Sequence, residues 1–256
     1  MKNSYIAVFD SGVGGLHILE TLAIDFKNEN FLYLADEEFF PYGVKTKDEL
    51  EDRMTLITKK LDSMNVKVII IACNTASANS HHCSKLINTK IIEIITATAN
   101  YAKSVTNNNK IGVWATDATI KSNKYQEALR DIEMCYPVKA SDLVVLIEKN
   151  LIKDTKSLVK NHLDEIKDAD TLILGCTHFP LVSEVIKEFN NDLNLVSSNK
   201  PVSIALKEYL DENDLNNTFN DKQIINLYTS KFDGELEEKA QRFNINVNKV
   251  EYLEIK

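Results

Sequence analysis

The stretches VKVIIIACNT at 66–75 and ADTLILGCTH at 169–178 decide the fold. Each is a short, continuous apolar run rich in Ile, Leu or Val. Each breaks at a cysteine followed by small polar residues. Apolar runs of this length without alternation suit strands buried on both faces, as in a parallel sheet covered by helices. Cys73 and Cys176 then mark turns at the carboxyl ends of two such strands. Working outward, IAVFDSGVGG from residue 6 and KIGVWATDAT from residue 110 read as two further strands ending in polar turns. Asp10 precedes Cys73 by 63 residues and Thr116 precedes Cys176 by 60. The chain therefore reads as two related halves, each with a polar turn after its first strand and a cysteine turn after a later one.

The intervening segments read as helices. Thr46 and Glu49 form a capping box ahead of Leu50, Met54, Ile57 and Leu61. Ser141 is the expected cap of SDLVVLIEKN, and 154–167 puts Leu158, His162 or Leu163, and Ile166 on one face. A strand near 223–229 and a helix from 234 follow. Strands alternating with helices indicate an α/β fold with mostly parallel sheets flanked by helices, and such sheets bind ligands beyond the carboxyl ends of their strands. All four polar turns lie at such ends. Six of the seven glycines and two of the four prolines fall in or beside these strand ends, Gly234 being the glycine placed elsewhere.

Composition narrows the partners. The 256 residues are 44% hydrophobic and 27% charged, with a formal net charge of −8. That balance disfavours nucleic acid and anionic membrane surfaces, which need a dense basic patch. The apolar run at the N-terminus is too short for a signal peptide, and no segment reaches the length of a membrane span, so the expected location is the cytoplasm. Cys73, Cys83, Cys135 and Cys176 are accordingly expected to be reduced thiols.

DSGVGG at 10–15 opens a helix whose free N–H groups suit an anion. It does not complete a dinucleotide or Walker pattern, and a tight turn is its plain alternative. A single free cysteine is usually a small core residue, and Cys83 and Cys135 fit that reading. Cys73 and Cys176 differ because each ends a buried strand and begins a turn, where a helix N-terminus is expected to lower the thiol pKa. Two such thiols at equivalent ends of two half-folds would face each other across a cleft. Inverting a carbon centre means removing a proton from one face and delivering one to the other. A single base does both only if it moves or the intermediate turns, and two fixed groups on opposite faces solve the problem. Asp10, Glu148 and His178 are candidate tuners. Asn74, Thr75, Thr116, Thr119 and Thr177 offer amide and hydroxyl groups suited to an amino acid. A metal site from Cys73, His81, His82 and Cys83 matches no usual ligand spacing, and no C-x-x-C supports a redox pair. Composition does not exclude pyridoxal chemistry, although no phosphate cup beside a distinctive lysine is visible.

FDSGVGG at 9–15, Asp36 with PYG at 41–43, ACNTAS at 72–77, Thr116/Thr119 through Ser122, VLIE ending at Glu148 and LGCTHFPL at 174–181 resemble, in order and spacing, the glutamate racemases of the aspartate/glutamate racemase superfamily. The resemblance implies two similar α/β domains, 1–96 plus 207–256 and 97–206, with the active site in the cleft between them, often in a homodimer. It implies interconversion of L- and D-glutamate without pyridoxal phosphate or metal, supplying D-glutamate for peptidoglycan. Cys73 would deprotonate D-glutamate with Asp10 nearby, and Cys176 would deprotonate L-glutamate with Glu148 and His178. Ser11, Pro41, Tyr42, Gly43, Asn74, Thr75, Thr116, Thr119 and Thr177 would bind or line the substrate, with Asp10 and His178. Ala35, Phe39, Thr96-Ala97 and Trp114-Ala115 depart from the family's usual residues. An aspartate or broader amino-acid racemase, or a non-catalytic amino-acid-binding regulator, is the alternative reading of the same scaffold.

Overall fold

The computed structural model describes residues 2–218, 222–232 and 235–256, the side chains of Glu148 and Glu235 excepted. Gly234 thus lies outside the described residues.

The strands β1 (Ile6–Asp10), β2 (Phe31–Ala35), β3 (Val68–Ile71) and β4 (Lys90–Glu93) build one sheet, completed by β9 (Ile225–Thr229) and β10 (Lys249–Tyr252). Its order is β10-β9-β2-β1-β3-β4, with every pairing parallel. The strands β5 (Lys110–Ala115), β6 (Met134–Lys139), β7 (Thr171–Gly175) and β8 (Asn194–Val196) build a second parallel sheet in the order β6-β5-β7-β8. The central orders β2-β1-β3-β4 and β6-β5-β7-β8 are equivalent, so the internal repeat read from spacing is a repeat of topology.

Why these residues form these strands is visible in their burial. Every residue of β1, β2, β3 and β7 is buried. Alternate side chains serve opposite faces: Ile6 and Val8 join one core while Ala7 and Phe9 join the other. Each large aliphatic side chain buried this way contributes about 1.5–3 kcal/mol. The edge strands β4 and β6 are only partly buried, which tolerates Pro137 in β6.

The helices α1 (Leu16–Asp25), α2 (Lys47–Ser63), α3 (Asn74–Ala78) and α4 (Ile94–Val105) follow β1 to β4. Next come α5 (Asp117–Lys121), α6 (Lys124–Ala128), α7 (Ser141–Glu148), α8 (Lys156–Glu165), α9 (Ser183–Phe189), α10 (Asn199–Glu212) and α11 (Glu235–Ala240). The Thr46–Glu49 capping box starts α2, and Leu50, Met54, Ile57 and Leu61 are all buried. Ser141 is not the cap of α7. Ala140 holds that position, and the Ser141 hydroxyl instead accepts from the Asp117 N–H at 2.9 Å. Helix α4 packs Ile95, Ala99 and Ala102 against Ile111, Val113 and Ile173 of the second sheet. Helix α10, which spans residue 206, packs Val202, Leu206 and Leu210 into the first-sheet core that holds Ile6 and Val8.

Candidate active site

Three loops from the first sheet and three from the second converge at the carboxyl ends of their strands. After β1, Asp10 is buried, and its Oδ2 accepts from the Gly12 N–H at 3.1 Å. Burial pushes the Asp10 carboxyl above its ordinary value, while the charge of His178 and the N–H groups of Gly12, Gly15 and Ser11 oppose the rise. The turn is tight for a physical reason. A Cβ on Gly15 would lie 2.7 Å from the Asp10 Cβ. The Tyr33 hydroxyl donates to the Gly12 carbonyl at 2.7 Å and holds the loop from below.

After β3, Cys73 caps α3 and lies 3.4 Å from the Ser11 hydroxyl. Its thiol is pushed up to about 12, by burial first and then by the negative charge of Asp10. This reverses the expected effect of the helix N-terminus. Helix α3 has five residues, and the Ala76 N–H and Ser11 hydroxyl offset only part of the desolvation. Cys176, after β7, is also buried, and its sulfur lies 3.4 Å from His178 Nδ1. The two thiols are near enough that a charge on Cys176 raises the pKa of Cys73.

The remaining groups join the halves. Thr75 Oγ1 lies 2.9 Å from Thr116 Oγ1 and 3.3 Å from Thr119 Oγ1, and the latter two are 2.9 Å apart. Thr116 also caps α5. Thr177 meets Gly14, where a Cβ would sit 2.3 Å from the threonine Oγ1. Tyr42 is buried, Pro41 is exposed, and Gly43 comes close to Thr116. The backbone of Glu148 ends α7, while its side chain lies outside the described residues. Cys83 is core, as expected, and Cys135 is half-buried.

Sequence reasoning missed two supports. Asp36 is fully buried and accepts from Tyr42 Oη at 2.6 Å, Arg53 Nε at 2.8 Å, Arg53 Nη2 at 2.6 Å and Ser230 Oγ at 2.7 Å. This fixes the Tyr42–Gly43 turn to the first sheet. Phe39 packs edge-on against Tyr42, with Lys45 4.4 Å above its ring. Tyr125 donates to Asn74 Oδ1 at 2.6 Å from the other half. Arg53 sits in a helix chosen for its apolar face and Tyr125 in a five-residue helix without periodicity, so no local signal marked either.

The space between the halves is uneven. Beside Gly14, His17, Cys176 and Thr177 it is only about 10 Å³, room for one water. A cavity of about 720 Å³ opens at the other side, among Val44, Lys45, Asn79, Ala118, Lys121 and Ser122. These residues continue directly from the Tyr42, Thr75 and Thr119 segments. Hydroxyl and amide groups of this kind hydrogen-bond carboxylates, and thiols take or give protons.

Residues 23–201 match the Asp/Glu/hydantoin racemase family model. A glutamate racemase of Aquifex pyrophilus is 37% identical over 210 residues, covering 80% of this chain and 83% of the relative. That of Persephonella marina is 34% identical over 258 residues, covering 98% of each. The crystal structure of Francisella tularensis glutamate racemase in complex with D-glutamate superposes with a TM-score of 0.90 at 30% identity, over 100% of this chain and 99% of that one.

Proposed function

Because the chain belongs to the Asp/Glu/hydantoin racemase family, we propose that it interconverts L- and D-glutamate with Cys73 and Cys176 as opposed acid and base. The observation that carries this reading is the equivalence of the two cysteine turns, one after β3 and one after β7, each in the same place in its sheet. Glutamate is favoured as substrate by the names of the relatives and by the D-glutamate in the Francisella complex. The Picrophilus torridus aspartate racemase, at 19% identity and a TM-score of 0.56, shares the fold alone.

In the L-to-D direction the Cys176 thiolate takes the Cα proton. The electron pair of the broken C–H bond spreads into the α-carboxylate, and the Cys73 S–H gives its proton to the opposite face. The high pKa of Cys73 favours the protonated form that this step needs. The D-to-L direction runs the same transfers backwards, with Cys73 as thiolate and Cys176 as thiol. His178, beside the Cys176 sulfur, is placed to help that thiol lose or regain its proton. Asp10, whose own proton affinity is raised, is placed to do so for Cys73. Glu148 is assigned to the Cys176 side. Asn74, Thr75, Thr116, Thr119 and Thr177 bind the substrate's carboxylates and ammonium, with Ser11, Pro41, Tyr42 and Gly43 lining the cleft.

The same reading takes the reaction as independent of pyridoxal phosphate and metal. It places the enzyme in the cytoplasm as a homodimer of two-domain subunits divided near residues 96 and 206, supplying D-glutamate for peptidoglycan.

Incubating L-glutamate with the protein in deuterated water tests the activity. Deuterium at Cα and D-glutamate are both expected, and the absence of both overturns the reading. Cys73→Ser and Cys176→Ser each abolish turnover. Faster turnover of aspartate in a substrate panel makes the aspartate reading the correct one. Calorimetric binding of glutamate without Cα exchange makes the protein a binder.

A further inference from the structure

Tyr125 is fully buried on α6, far in sequence from both cysteines, yet it touches both of their turns. Its hydroxyl donates to Asn74 Oδ1 at 2.6 Å, next to Cys73 in the chain. Its ring packs over Gly175, next to Cys176, where a Cβ would lie 3.1 Å from Tyr125 Cε2 and 2.8 Å from the Trp114 carbonyl. Glycine at 175 is therefore what lets the tyrosine reach across. On the far side of the same amide, Asn74 Nδ2 is buried and has no hydrogen-bond partner among the described residues. An orphaned buried donor is destabilising, and a bound acceptor removes that cost.

We propose that Tyr125 is a positioning residue that fixes the Asn74 side chain between the two cysteine turns, so that Nδ2 faces a substrate carboxylate. The proposal rests on the assignment of Asn74 to substrate binding. Neither neighbour of Asn74 within the first half provides this restraint. The Asn79 side chain bonds the Thr75 carbonyl, and Thr75 is engaged with Thr116 and Thr119. Without the phenol the amide is free to turn and to present its oxygen to a carboxylate, which repels it.

The test is Tyr125→Phe, which keeps the ring over Gly175 and removes one hydroxyl. KM for glutamate rises roughly ten- to hundredfold, the scale of losing one positioned hydrogen bond, while kcat changes less. In an Asn74→Ala background the same substitution costs nothing further. An unchanged KM, a loss confined to kcat, or fully additive losses in the double variant overturns the proposal. Should Tyr125→Phe fail to fold, a structure of the intact enzyme with glutamate decides. Nδ2 within hydrogen-bond distance of a carboxylate supports the assignment, and Nδ2 turned away overturns it. Failure of the broader reading is separate, because it shows as absent Cα exchange in the unmodified protein.

Discussion

Gly14 and Thr177 meet across the two halves of the molecule, so closely that a Cβ on Gly14 would lie 2.3 Å from Thr177 Oγ1 and 2.8 Å from Thr177 Cβ. Rotating the threonine moves Oγ1 but leaves its Cβ in place, so the turns themselves must part. Gly14→Ala is therefore expected to hold the cleft ajar and misplace Cys176 relative to Cys73. A displacement on the order of 1 Å in a proton-transfer site costs up to about 10²-fold in rate. Gly12→Ala is the control, since its Cβ would meet only Phe40 at 3.6 Å, an ordinary contact. Steady-state kinetics of both variants check this, and a Gly14→Ala enzyme with unchanged kcat/KM would show that the contact is incidental.

The Arg53–Asp36 pair is the second expectation. Asp36 is fully buried and bidentate to Arg53, with Tyr42 and Ser230 filling its remaining positions. Arg53→Met keeps the apolar stem and removes the cation. It leaves a buried carboxylate without its counter-charge, a loss of about 3–5 kcal/mol. Urea unfolding should show this as a lower midpoint with an unchanged slope. A loss under about 1 kcal/mol, the surface-pair range, would mean that the pair contributes no more than an exposed one.

The parts legible in sequence and the parts that were not differ in a physical way. The strands β3 and β7 announce themselves because continuous apolar runs have one favourable environment, a sheet covered on both faces. The turns after them follow from Cys73 and Cys176 ending those runs. Spacing then recovered the repeat that the two sheet orders display. Contacts between distant segments left no such trace. Thr75 meeting Thr116 and Tyr125 reaching Asn74 are set by how two halves dock, and Arg53 reaching Asp36 by how α2 packs on the first sheet, none of which a local pattern encodes. The thiol of Cys73 shows the same limit. Its place before a helix was readable, but the burial and the Asp10 charge that outweigh the helix belong to tertiary structure.

Alkaline stability follows from that thiol. Burial raises Cys73 from 9.0 to about 12 in the folded protein, so between these values the unfolded chain releases a proton that the native state keeps. The contribution is full below pH 9.0 and is lost as pH rises towards about 12. The slope is at most about 1.4 kcal/mol per pH unit. Cys73→Ser has no such proton to lose. Its urea midpoint should fall less steeply than the parent's between pH 8 and roughly 10. Parallel pH dependences for the two proteins would contradict the assignment.

Asp10 carries the last expectation, with the opposite balance between stability and function. Its carboxyl is pushed above 3.8 by burial, so the folded protein resists an ionisation that the unfolded chain accepts freely. Stability from this group is full below 3.8 and is lost as pH rises through the higher folded value, leaving a cost at neutral pH. Asp10→Asn keeps the shape and an acceptor for the Gly12 N–H but carries no charge. It should melt a few degrees above the parent at pH 7, on the scale of about 2–4 °C per kcal/mol for a chain of this size. The difference should shrink below pH 4. Removing the charge also removes one cause of the high Cys73 pKa, so iodoacetamide should modify Cys73 faster in this variant at pH 9 even as racemisation slows. A variant that melts lower than the parent at pH 7, or alkylates no faster, would show that Asp10 neither strains the fold nor holds the Cys73 proton in place.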